Sequence, residues 1–168
     1  MDHTADRWLL YSLCAFFLIT GASLWETVVF VPVWASGNPA TLTVLEGNAG
    51  LDSTILWLVV HSLFEIILLL TLVFNWKTKS RRAPLLLLGI LYAVIRIWTV
   101  LYFAPSFLDF QKLSSRPEIA SSLIARTVLW EKLNYVRTGL VVALNISMLL
   151  YVNRTLLFVR KGPDERHG

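Results

Sequence analysis

His61 and Glu65 stand four residues apart in an apolar stretch, so a helix there would carry an imidazole and a carboxylate on one face. That spacing suits general-base chemistry: the carboxylate orients the ring and raises its basicity, and the ring takes a proton from a bound molecule. Asn134 and Arg137 lie three apart within LWEKLNYVRTGL, residues 129–140. As hydrogen-bond donors in a medium of low dielectric they suit the holding of a developing oxyanion. Glu26 and Arg96 are ionisable groups in two further apolar runs and are read as substrate-contacting. Trp57, Trp130 and Tyr135 lie close by in sequence and would wall a flat aromatic ligand.

Such groups need elements to bring them together. Of 168 residues, 56% are hydrophobic and only 15% charged, and the mean hydropathy is +0.63. That is too apolar for a water-soluble domain of this size. Four runs reach the roughly 20 residues that a spanning helix needs: 8–34, 53–75, 84–104 and 123–152. The fold class expected is all-α, one domain over residues 1–168, a four-transmembrane-helix bundle with both termini cytoplasmic. The first run is too long for a signal peptide and contains Glu26, so it is expected to be retained. SGNPA (36–40), EGNAG (46–50) and SSRPE (114–118) punctuate the chain as loops, and Pro84 is placed at a helix start.

Orientation follows from positive charge. NWKTKSRR holds Lys77, Lys79, Arg81 and Arg82, and Arg154, Arg160 and Lys161 close the last run; both groups are expected on the cytoplasmic side. Trp8, Trp34 and Trp76 are expected in interfacial belts. Counted from the outer helix ends, Glu26, His61, Arg96 and Asn134 fall roughly 10–15 Å deep, with Glu65 and Arg137 a turn deeper. Three stripes point them inward: Trp57, His61 and Glu65; Tyr92, Arg96 and Thr99; Trp130, Asn134 and Arg137. Glu26 and Glu65 balance Arg96 and Arg137 in charge.

Plainer readings compete. A bridge from Arg96 to Glu26 or Glu65 fits a purely structural role, fixing helix register, as well as a functional one. Asn145 and Ser147 are read as interhelical hydrogen-bonders, and Lys132 is given no role. The net charge of +4 comes with no basic stripe interleaved with aromatics, so no nucleic-acid partner is expected. The single cysteine, Cys14, excludes an internal disulfide or a CxxC pair. No cofactor is expected; iron or manganese at Glu26, His61 and Glu65 is the minor alternative. No phosphate loop, dinucleotide fingerprint or GxSxG elbow occurs.

Trp130, Asn134 and Arg137 in WEKLNYVRTGL resemble the W-x-x-x-N-x-x-R signature on the last helix of the anthrone-oxygenase-like family of small four-helix membrane proteins, most of whose members have no assigned function. The first run, with Gly21 and then VVFVP ending at Pro32, and FAPSFLDFQKL (103–113) after the third run are similar to that family as well. The resemblance covers most of the chain in layout and is sharp over the last helix. It implies an oxygenase of polycyclic phenolic compounds that works without metal or organic cofactor. His61 would be the base, oriented by Glu65, with Arg137 and Asn134 at the oxyanion. The partners expected are the lipid bilayer and a hydrophobic small molecule, with a homo-oligomer left open, and the location is a bacterial inner or plasma membrane. Three other readings use the same residues: a small proton-coupled transporter working through Glu26, a lipid- or partner-binding bundle whose polar layer is structural, and a sterol-isomerase-like proton shuttle.

Overall fold

A computed structural model describes residues 3–35, 41, 54–113 and 120–160. They form helices α1 (His3–Trp25), α2 (Val31–Trp34), α3 (Thr54–Asn75), α4 (Lys79–Trp98), α5 (Ala104–Leu113) and α6 (Ala120–Arg160). A π-helical turn, Glu26–Phe30, joins α1 to α2, and a second, Thr99–Phe103, joins α4 to α5. The result is four continuous helices long and apolar enough to cross a membrane: His3–Trp34, Ile55–Asn75, Lys79–Lys112 and Leu123–Leu156. The expected all-helical architecture of four spans is what forms. The three loop segments expected from turn residues lie outside the described residues.

Both π turns end two residues before a proline, Pro32 and Pro105. In an α-helix the carbonyls of Val28 and Leu101 would face a proline nitrogen that has no hydrogen to give. A π turn shifts bonding to the fifth residue ahead, as in the bonds from the Val31 and Ala104 N–H groups to the Glu26 and Thr99 carbonyls. The helix thus passes each proline without stopping. For this reason the third span does not end at 104, as the sequence suggested, but runs on to Leu113. The span also starts earlier, at Lys79, so Pro84 sits in the second turn rather than at the helix start. Its i−4 carbonyl belongs to Ser80, which is exposed and open to other donors.

The spans pack in a ring, first on second, second on third, third on fourth, fourth on first, and the second and third meet least closely. At the Arg81 end the ring is tied by hydrogen bonds. Arg81 donates to Asp6 at 2.7 Å and to Asn75 Oδ1 at 3.2 Å. Asn75 Nδ2 donates to the Ala5 carbonyl at 3.3 Å, Thr71 Oγ1 to the Trp8 carbonyl at 3.0 Å, and Tyr151 Oη to the Arg81 carbonyl at 3.4 Å. Trp8 stacks on Phe74, and Trp76 lies beneath the Arg82 guanidinium.

Two apolar cores fill the interior. One runs from Leu9, Leu13, Phe16 and Ile19 to Leu144, Met148 and Val152 at the Arg81 end. The other gathers Phe30, Trp34, Phe103, Phe110 and Trp130 at the opposite end. Trp34 belongs to this aromatic core and is buried, not part of an interfacial belt as expected. Ser147 likewise bonds back to the Ala143 carbonyl of its own helix instead of across helices. Large apolar side chains such as Leu18, Ile55 and Leu101 cover the outer surface, the inverse of what water would allow and the condition that lipid requires.

Candidate functional site

Between the two cores lies a cavity of about 250 Å³ to which all four spans contribute. This is just below the usual range of ligand pockets, roughly 300–1,000 Å³. The first π turn places Glu26 on its wall, α3 places Trp57 and His61, α4 places Tyr92 and Arg96, and α6 places Trp130 and Arg137. The second π turn adds Thr99 and Phe103. Two prolines thus have a consequence for the site: each forces a local widening of its helix where the wall needs a side chain that a straight α-helix would aim elsewhere.

Each charged group has a partner of opposite sign. Arg137 Nη2 donates to Glu26 Oε2 at 3.1 Å, and Trp57 Nε1 donates to Glu26 Oε1 at 2.9 Å. The Arg137 guanidinium also lies 4.5 Å from the centroid of the Phe103 ring, a cation–π contact. Arg96 Nε donates to Glu65 Oε1 at 2.8 Å. His61 stacks on Trp57 with centroids 5.3 Å apart, and its Nδ1 shares a hydrogen bond of 2.9 Å with the Tyr92 hydroxyl. Ion pairs, aromatic faces and a hydroxyl together allow charge at this depth; the Glu65 side chain, 42% exposed, stays partly open to the outside with Arg96 as its partner.

Of the residues singled out in the sequence, Glu26, Trp57, His61, Arg96, Trp130 and Arg137 meet at the cavity. Three do not. Glu65 turns to Arg96 and lies off the cavity wall, so the expected His61–Glu65 pair is replaced by His61 with Tyr92. One helical turn separates His61 and Glu65, and the arginine outcompetes the neutral imidazole for the carboxylate. Asn134 is fully buried behind the wall, donating from Nδ2 to Thr27 Oγ1 at 3.0 Å, where Thr27 and Thr138 share a hydrogen bond of 2.7 Å. It cannot reach an oxyanion in the cavity. Tyr135, one residue further on, is 48% exposed and does not line this cavity.

Sequence reasoning missed Thr27, Thr138 and Phe103. Thr138 stands four residues after Asn134, a signal that the one-stripe-per-helix reading passed over. Phe103 had no signal of its own: its carbonyl accepts from Trp130 Nε1 at 3.2 Å only because the third span continues through the second π turn. Among the described residues no three His, Cys, Asp or Glu side chains are grouped to hold a metal ion, and Glu26 and Glu65 each face an arginine in place of the iron or manganese alternative. Comparison with protein-family models, curated proteins and solved structures gave no match.

Proposed function

We propose that this chain is a membrane-embedded enzyme that oxidises a lipid-soluble phenolic or polyaromatic substrate with dioxygen, using no metal or organic cofactor. One observation carries the reading: the His61–Tyr92 pair and two arginines face a single aromatic-walled cavity. With Nδ1–H donating to Tyr92 Oη, the His61 Nε2 lone pair is left to take a proton; among the described residues Nε2 has no hydrogen-bond partner.

The reaction balances without a stored electron source. His61 Nε2 removes a proton from an activated ring CH2, and the charge delocalises onto the substrate oxygen, where Arg96 and Arg137 N–H groups hold it. The anion passes one electron to dioxygen, and the resulting radical and superoxide combine as a carbon-bound peroxide anion. That anion regains the proton from His61. Loss of the remaining C–H proton with cleavage of the O–O bond leaves C=O and releases water, so CH2 and O2 give C=O and H2O.

Lys77, Lys79, Arg81, Arg82 and Arg154 belong to one end of the bundle, which we place in the cytosol by the positive-inside rule, leaving the cavity nearer the other leaflet. The transporter reading loses weight because its carrier, Glu26, is engaged by both Arg137 and Trp57. The test is anthrone oxidation followed by oxygen uptake with protein in nanodiscs, before and after dialysis against a chelator. Turnover is expected to survive the chelator and to be lost in His61→Ala with the fold retained. Full activity in His61→Ala, or loss on chelation restored by a metal, overturns the mechanism.

A further inference from the structure

The cavity has one weak side. Its back wall, formed by Tyr92, Phe103, Trp130 and Val141, is buried. Its front is not. Leu58 on α3 is 64% exposed, and across from it Val100 and Leu108 are 53% and 41% exposed, with exposed Ala104 between them. Val100, Ala104 and Leu108 recur every fourth residue and so form one stripe down the third span. This stripe and Leu58 border the place where the second and third spans meet least closely. The neighbours of the rim, Val59, Ile97 and Leu101, are also exposed and apolar, so the slot is continuous with a surface suited to acyl chains and not to water.

The inner wall is asymmetric in the charged groups that reach it, though each has its partner. Among the described residues two guanidiniums, Arg96 and Arg137, reach it and one carboxylate, Glu26; Glu65, the partner of Arg96, lies off it. Each guanidinium carries five N–H donors, and among the described residues a single one from each is given to a carboxylate. Among the described residues, guanidinium N–H donors therefore outnumber the carboxylate oxygens on the cavity wall.

From these two features we infer that the cavity takes an acidic amphiphile from within the bilayer, passing sideways between the second and third spans, with its carboxylate or phenolate head against Arg96 and Arg137 and its apolar body in the slot bordered by Leu58, Val100, Ala104 and Leu108. The inference rests on the reading of the cavity as a substrate site and deepens it by naming the head group and the route. Neutral ligands of the same shape leave the spare donors unmatched, and cationic ones meet carboxylates that the arginines already hold.

The test uses anthracene carboxylate and its neutral analogue anthracene methanol, in phosphatidylcholine nanodiscs, with energy transfer from Trp57 and Trp130 as the signal and probe concentration counted in the bilayer. The carboxylate is expected to bind saturably and at least about tenfold more tightly than the alcohol, the scale of one charge-assisted hydrogen bond. Arg96→Gln should erase that preference and Arg96→Lys should keep part of it. Val100→Trp, at a rim position with room for an indole, should slow association about tenfold or more while the protein stays folded. Equal affinity for the two probes, an unchanged association rate in Val100→Trp, or displacement of the carboxylate by phosphatidylglycerol, which would assign the site to a phospholipid head, each overturns the inference. Binding without anthrone oxidation removes only the catalytic reading. Oxidation without binding of, or inhibition by, the carboxylate removes only this one.

Discussion

Arg137 and Glu26 face each other across the bundle with Nη2 3.1 Å from Oε2, and each side chain is only 12% exposed. Neither charge has water to fall back on, so removing one leaves the other uncompensated. Arg137→Leu is expected to destabilise the protein by about 3–5 kcal/mol in mixed-micelle unfolding. Glu26→Gln combined with Arg137→Met should recover most of that loss, because the pair is removed as a unit. A double variant as unstable as Arg137→Leu would show that Arg137 stabilises through Phe103 and not through the carboxylate. Loss of turnover in Arg137→Leu alone therefore says little about chemistry.

Trp57 separates packing from polarity. Its ring stacks on His61 while Nε1 donates to Glu26 at 2.9 Å. Trp57→Phe keeps an aromatic face and removes the donor, and it should cost about 1.5–3 kcal/mol, as expected for a hydrogen bond to a charged group. Unfolding free energies measured beside Glu26→Gln should be non-additive, since both changes act on one contact. Strict additivity would mean that the indole N–H contributes nothing to holding the carboxylate.

Tyr92 is the sharper probe of His61. With Oη 2.9 Å from Nδ1, the hydroxyl holds the ring in place, and its accepting from Nδ1–H is the arrangement that the proposed base role requires. Tyr92→Phe should change stability by only about 1 kcal/mol while lowering kcat for anthrone by about tenfold or more, a part of the roughly 10²–10⁴-fold that a well-placed general base contributes. An unchanged kcat would remove the hydroxyl from the mechanism and leave His61 oriented by its stacking on Trp57.

The polar layer was legible in the sequence because charge at membrane depth is so costly that residue type and depth nearly dictate direction: Glu26, His61, Arg96 and Arg137 could only turn inward. Partner choice was not legible. From spacing alone His61 has Glu65 one turn away, but the carboxylate is taken by Arg96 from a neighbouring span, a contact set by the rotation of two helices about their axes. The ends of the third span were misread for a related reason. Pro105 signals a stop in a straight α-helix, and the π turn before it, which no residue type announces, lets the helix run on. That continuation carries Phe107 and Leu108 to the cavity and supplies half of its rim.

Asn134 offers a last test, because sequence and structure assign it opposite roles. It is wholly buried, and its only side-chain hydrogen bond among the described residues runs from Nδ2 to Thr27 Oγ1, while Oδ1 has no partner. An orphaned buried acceptor is a cost, and replacing the whole amide by an apolar group of similar shape removes donor and orphan together. Thr27 and Thr138 still satisfy each other at 2.7 Å. Asn134→Leu is accordingly expected to shift unfolding free energy by less than about 1 kcal/mol and to leave kcat for anthrone within a factor of about three, a barrier change well under that of a missing oxyanion donor. Asn134→Asp, which buries a charge beside two hydroxyls while Arg137, one turn away, is already held by Glu26, should be far more damaging to stability. If Asn134→Leu instead melts normally yet loses turnover as a lost oxyanion donor would, the amide reaches the substrate in a bundle rearranged around it, and the buried placement describes only the resting protein.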